Sequence, residues 1–237
     1  MHQINLLFTN RIMKKLLFSV ALLGASFVSN AQFSIGPKLG FGLANVKYSG
    51  LGVTNDSKSG LAPTLGLDMK IDIVKYFSIQ PAVQFQVLGS KSDQTIDGAK
   101  YRIREYLGYL QIPVKFNVQY PISDKMSVGF GVGPYIGYFL VGGVNTPDNK
   151  DDTGTKYKAK ADVKVSDFKA DEDVNFIKPL DAGIVLAPFF QVGVLNIAPT
   201  MSFGMTSTIP KFEGKTFPIT ARNVYYGLQV SLLFGGK

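Results

Sequence analysis

The 237-residue chain has no cysteine, no tryptophan and a single histidine, His2. Without cysteine there is no disulfide framework, thiolate metal site or cysteine nucleophile. His2 lies ahead of the segment read below as an export leader, so the mature chain carries no histidine. That removes Ser-His hydrolysis of the outer-membrane phospholipase type, His-Asp proteolysis of the omptin type and the His-dependent palmitoyl-transferase barrel. It also removes the commonest zinc ligand. No catalytic residue, no cofactor site and no metal site is expected. The segment Asn149-Lys150-Asp151-Asp152-Thr153-Gly154 has a faintly calcium-loop-like start, but Lys160 stands where the closing bidentate glutamate belongs. Helical periodicity is missing as well: no segment keeps an apolar stripe at helical spacing over a useful length.

A leader is present. From Met13 the chain reads MKKLLFSVALLGASFVSNAQ. Lys14 and Lys15 form a basic n-region, Leu16 to Val28 an apolar h-region, and Ser29-Asn30-Ala31 a small-residue cleavage site, with the cut between Ala31 and Gln32. Residues 1–31 are therefore expected to be a secretory signal peptide, with Met13 as the true start, and residues 32–237 the mature domain. The formal net charge of +8 comes from 25 basic and 17 acidic residues. Arg11, Lys14 and Lys15 leave with the leader, so the mature excess is 22 minus 17, or +5. That excess suits a surface meeting anionic lipid headgroups and gives no reason to expect nucleic acid.

The mature chain alternates. In Met126 to Leu140, MSVGFGVGPYIGYFL, one face collects Val128, Phe130, Val132, Pro134, Ile136, Tyr138 and Leu140. The other is mostly glycine: Gly129, Gly131, Gly133 and Gly137. Side chains alternate across a strand with period two. The same pattern recurs at Phe33–Leu43, Ala62–Ile73, Phe77–Leu88, Tyr106–Tyr120, Pro179–Phe189, Val194–Thr206 and Val224–Phe234. Eight strands result. They are separated alternately by long polar loops (46–60, 89–104, 142–178, 207–222) and short turns. This is the pattern of a transmembrane β-barrel with short periplasmic turns and long extracellular loops.

In nearly every predicted strand one face is continuous Leu, Val, Ile, Phe and Met, and the other mixes glycine with polar residues. A soluble lipocalin-like barrel or sandwich would turn the apolar set inward and show the glycine-rich set to water. A narrow lumen explains the glycines better, because an eight-stranded interior has room only for side chains to fill. The lumen set then holds a charge network of Lys38, Asp68, Lys70, Asp72, Lys115 and Asp181, with Gln80, Gln84, Gln86, Gln111, Asn117 and Gln229 around it. Three lysines and three aspartates balance, as buried charges must. Tyr76, Phe77, Tyr120 and Phe189 lie near the short turns, where an aromatic girdle belongs. Pro37, Pro63, Pro81, Pro113, Pro134, Pro188 and Pro199 fall within or near strands, where bulges or strand ends are expected. The alternating YKAKADVKVSDF segment, 157–168, reads as a hairpin edge rising beyond the membrane.

The segments FSIGPKLGFGLANV (33–46), YLQIPVKFNV (109–118), GVGPYIGYFL (131–140), Leu180-Asp181-Ala182-Gly183 and the closing aromatic strand ending at Phe234 resemble, in order and spacing, the PorT-type outer-membrane β-barrel family of Gram-negative bacteria. The resemblance covers essentially the whole mature chain. It implies an eight-stranded barrel in the cell outer membrane and no assigned activity; some relatives serve protein secretion. The resulting expectation is a non-enzymatic, monomeric barrel with a plugged lumen, outer-membrane lipid around it, and a protein partner or surface ligand on its long loops. The alternatives are a transport or secretion component and a soluble binder.

Overall fold

The computed structural model describes residues 32–50, 57–96, 99–145, 155–164, 167 and 174–235. The leader, with Ala31, and the calcium-loop-like segment lie outside the described residues. Among the described residues the chain forms fourteen β-strands. Eight are long: β1 (Gln32–Ser49), β3 (Thr64–Val74), β4 (Phe77–Ile96), β5 (Ala99–Ser123), β6 (Met126–Asn145), β10 (Leu180–Val192), β11 (Leu195–Gly204) and β13 (Thr220–Leu232). Six are short: β2 (Lys58–Leu61), β7 (Thr155–Ala159), β8 (Asp162–Val163), β9 (Val174–Ile177), β12 (Lys211–Phe212) and β14 (Phe234–Gly235). No helix among the described residues is long and apolar enough to cross a membrane.

Twelve strands share one sheet. Its long members pair antiparallel from neighbour to neighbour: β1 with β3, β3 with β4, β4 with β5, β5 with β6, β6 with β10, β10 with β11, and β11 with β13. β13 in turn pairs with β1 from Lys38↔Ser231 to Ser49↔Thr220. Lys75-Tyr76, Asp124-Lys125 and Gly193-Val194 make the three tight turns. Gly193 takes a φ of +56°, a left-handed conformation that a side chain disfavours.

The strand count corrects the sequence reading. The expected loop 89–104 is largely strand, because β4 and β5 stay paired out to Ile96↔Ala99. Polar residues there suggested a loop, but polar composition does not prevent a backbone ladder from continuing through them. The 157–168 segment also divides. β7 pairs antiparallel with β6 and parallel with β9, while β8 pairs parallel with β12 in a separate two-stranded sheet.

Three ladders skip rungs beside prolines without changing register. Partners between β4 and β5 run to Pro81↔Val114 and resume in the same register at Gln84↔Gln111. The β5–β6 ladder likewise skips from Pro113↔Tyr135 to Phe116↔Val132, and β10–β11 from Leu186↔Met201 to Phe190↔Ile197. Register shifts occur at Asp72/Val74, Gly108/Tyr109 and Pro121/Ser123. A skipped rung loses a hydrogen bond or two; a slipped register would turn every later side chain to the wrong face.

The apolar faces point outward. Leu39, Phe41, Leu65 and Val118 are each about 60% exposed, and Leu67, Ile112, Phe130, Ile136, Leu140, Ile184 and Leu228 are exposed beside them. The polar alternates Lys38, Asp68, Gln80, Lys115, Asn117 and Asp181 are buried. Each large apolar side chain left in water forgoes roughly 1.5–3 kcal/mol. Over this many residues the loss exceeds the 5–15 kcal/mol that holds a typical domain together. The surface therefore requires lipid, and the soluble-binder alternative falls with its reversed faces. Tyr76 and Tyr120 sit exposed at the tight-turn end as girdle residues should, but Phe189 does not: it turns inward and is buried with Ala187 and Ala198. Its ring occupies the space over Gly129, which has no side chain to block it.

Candidate functional site

Among the described residues the alternation gathers buried charge in the interior. Lys38 lies between outward Pro37 and Leu39 on β1, and Asp68 between outward Leu67 and Met69 on β3. Antiparallel pairing puts them on the same inner face. Lys38 Nζ stands 3.1 Å from Asp68 Oδ1, both side chains 1% exposed. Asp68 Oδ2 also accepts hydrogen bonds from Gln80 Nε2 at 2.8 Å and Ser231 Oγ at 2.6 Å. Asn117 donates to Gln80 at 2.9 Å, Lys38 donates to Gln84 at 3.2 Å, and Gln84 donates to Gln111 at 3.2 Å. One ion pair thus anchors an amide lattice reaching across β1, β3, β4, β5 and β13. Removing two charges from water costs several kcal/mol per ion, and the surrounding hydrogen bonds are what make the burial tolerable.

Closer to the tight turns, Lys70 pairs with Asp72 at 3.2 Å and donates to Gln191 at 2.8 Å. Gln119 donates to Asp72 at 2.8 Å. Asp72 keeps 22% of its side chain exposed, so this second pair forms the wet end of the lattice.

The other two predicted members do not complete a six-charge network. Asp181, fully buried at the start of β10, accepts from Thr206 Oγ1 at 3.0 Å, Asn223 Nδ2 at 3.0 Å and Tyr135 Oη at 3.2 Å. All three donors are neutral. Lys115 is also buried, and no carboxylate among the described residues comes within ion-pair distance of it. It borders a cavity of about 10 Å³ with Lys38, Gln84, Gln111, Tyr135 and Thr200, room for about one water. The three lysines and three aspartates therefore resolve into two ion pairs, a lysine whose charge acts on Asp68 from beyond ion-pair distance, and an aspartate met by neutral donors. Composition counts charges, but strand offset decides which ones meet.

The sequence reading missed a second layer. On the loop side of the lattice the interior turns apolar: Val46, Leu88, Leu107, Tyr109, Phe139, Ile177 and Tyr225 form one buried cluster, with Tyr48, Tyr157 and Ile209 packed on it. Tyr109 and Phe139 meet edge-on, with centroids 5.7 Å apart at 74°. The inward parity of Tyr109, Phe139 and Tyr225 was available from the alternation, but an apolar residue on a lumen face reads as noise until its neighbours are known. Above this layer Glu105 accepts hydrogen bonds from Tyr157 Oη at 2.8 Å and Ser90 Oγ at 2.8 Å. Burial, reinforced by the Glu105 carboxylate, pushes the Tyr48 phenol up to about 12 and raises that of Tyr157 as well. Outside the strands Lys160 pairs with Asp167, whose carboxyl is held below its usual range mainly by that hydrogen bond.

The glycines of β6 make the packing possible. A side chain on Gly131 would strike Asn117 Oδ1, and one on Gly133 would strike the Val114 carbonyl. Gly137 lies against Gln111 and Tyr109. No group of three or more potential metal-ligating side chains occurs among the described residues.

No curated protein matches the sequence. Among solved structures, the chain is similar to the attachment invasion locus protein Ail of Yersinia pestis, in complex with the heparin analogue sucrose octasulfate. Identity is 9%, covering 86% of this chain and 99% of that one, with a TM-score of 0.39. It is also similar to the Neisserial surface protein A, at 10% identity over 86% of this chain and 99% of the other, with a TM-score of 0.41. Residues 18–176 match the family described as the outer membrane protein beta-barrel domain. With its apolar strand faces turned outward and its charges turned in, the chain belongs to the outer membrane protein beta-barrel domain family and is a protein of the outer membrane.

Proposed function

We propose that the eight long strands close on themselves as a monomeric transmembrane barrel whose lumen is plugged by its own side chains, and that the protein has a structural or surface-binding role. In this reading residues 1–31 are removed as a signal peptide and the mature chain starts at Gln32. The tight turns face the periplasm, the long connections face outward, and any protein partner or surface ligand is met there. The PorT-type resemblance of the strand motifs fits the same picture. Support for closure comes from the pairing of β13 with β1. The observation that carries the plug is the succession of buried layers along the interior: Phe189 near the tight turns, the Lys38–Asp68 amide lattice, and the Tyr109–Phe139 cluster beneath the loops. An eight-stranded lumen has no spare width for a channel past such layers.

Two measurements test this. A folded barrel should run at a shifted position on unboiled gels, and loss of that shift with full strand content retained would refute closure. In planar bilayers the protein should show no steady conductance; a stable open channel would refute the plug.

A further inference from the structure

Positive charge is unevenly distributed around the strands. β6, β10 and β11 contain no lysine or arginine at all. At the loop-side ends of the strands on the other flank, cations face one another across the ladder. Lys47 on β1 pairs in register with Arg222 on β13, both exposed. Lys91 on β4 pairs with the exposed Arg104 on β5. Like charges placed directly opposite on one face destabilise a sheet. Two such pairs on one flank call for an anion to lie between or above them.

A second observation falls on the same flank. Below the cations, on the membrane side, Leu39, Phe41, Leu65, Phe85, Val87 and Leu228 line an apolar groove of about 680 Å³. It opens where the chain breaks between β2 and β3 at Ala62-Pro63, so that β1 is covered by two strand pieces rather than one continuous strand. The groove runs over β13, β1, β3 and β4. Lys47 and Arg222 stand over one shoulder, on the strands that carry Phe41 and Leu228. Lys91 stands over the other, on the strand that carries Phe85 and Val87.

We infer that this flank is a lipid-binding site for a phosphate-bearing acylated glycolipid of the outer leaflet, of the lipid A type. One acyl chain lies in the groove, and its phosphate is held by the cross-strand cations. Arginine and lysine serve a phosphate differently: the guanidinium can grip two oxygens in a fork while the ammonium acts as a point charge, and each shoulder supplies one of each. The inference rests on the proposed orientation, with the long connections outside.

The test uses the full mature chain, refolded in detergent micelles and examined by native mass spectrometry. The probes are bisphosphorylated lipid A, the same lipid dephosphorylated, and inorganic phosphate as competitor. The phosphorylated lipid should stay bound at an occupancy about tenfold above the dephosphorylated form, and free phosphate should not displace it. The double substitutions Lys47→Gln/Arg222→Gln and Lys91→Gln/Arg104→Gln should each abolish that preference, while Lys125→Gln at a tight turn should leave it intact. Equal retention of both lipids by the wild-type chain would overturn the inference without any variant. So would displacement by free phosphate, or charge variants that fold and still prefer the phosphorylated lipid. The gel shift on unboiled samples is read in parallel, so loss of the barrel itself is distinguished from loss of lipid preference in an intact one.

Discussion

Asp68 and Asp181 are both fully buried carboxylates on inner faces, and the interior treats them in opposite ways. Asp68 is neutralised by a lysine and fixed by two further donors, these three partners lying on three other strands. Asp181 is met only by neutral hydroxyl and amide donors. The first is a charge site that ties strands distant in sequence. The second is a hydrogen-bond acceptor site that ties the start of β10 to β6 and β13. Their contrast shows that burial alone says little about a carboxylate; what matters is whether a counter-charge shares its level along the strands.

The comparison can be broken most sharply at Asp68. Replacing Asp68 by Ala strands Lys38 in a dry interior, and should cost about 3–5 kcal/mol. Circular dichroism through a urea titration should show the loss, and the double variant Lys38→Met/Asp68→Leu should recover most of it. Failure of the double variant to recover would mean that the amide lattice, rather than the lone lysine, is what Asp68 supports. A substitution on the opposite wall comes next. Gly133→Lys forces a side chain against the Val114 carbonyl, and overpacking of this kind costs about 1–3 kcal/mol, occasionally more. Refolding yield should drop, and a normal yield would mean that the faces of β6 are reversed.

Asp181→Asn should be milder, about 1–2 kcal/mol. The amide oxygen still accepts from Tyr135 and Asn223, which share one carboxylate oxygen, while the amide nitrogen replaces the oxygen facing Thr206, whose hydroxyl can turn to accept. A loss as large as that of Asp68→Ala would erase the distinction between the two sites. The smallest effect concerns pH at the loop side. The phenols of Tyr48 and Tyr157 are raised by burial, then by Glu105. A raised folded-state value stabilises the fold fully below the unfolded value of about 10, and that contribution is lost as pH climbs from there through the folded value. Phenolate absorbance should therefore place Tyr48 and Tyr157 among the late-titrating tyrosines, and Tyr157→Phe should remove one late-titrating phenol.

Much of the fold was legible because alternation is a local property. The outward set Leu39, Phe41 and Leu65 and the inward set Lys38, Asp68 and Lys115 follow from period two alone, as do the three tight turns. Phe189 was misread because its distance from a turn looked like a girdle position, while its parity with Ala187 pointed inward. The extent of β4 and β5 was underestimated because polar composition marks contact with water and does not report backbone pairing. At the interior site the six charged residues were identifiable from parity, but not their grouping.

The division has a physical basis. The sequence by itself determines which side of each strand a residue occupies, since successive side chains point opposite ways whatever the partner strand does. It also determines that one side is apolar enough to require lipid. Only the tertiary structure decides which inward residues share a level. That depends on the offset between neighbouring strands, set by ladders that skip at Pro81, Pro113 and Pro199 and shift at Asp72/Val74 and Gly108/Tyr109. Lys38 therefore meets Asp68, Asp181 meets three neutral donors, and the cations of β1 and β13 meet each other at the edge of an apolar groove.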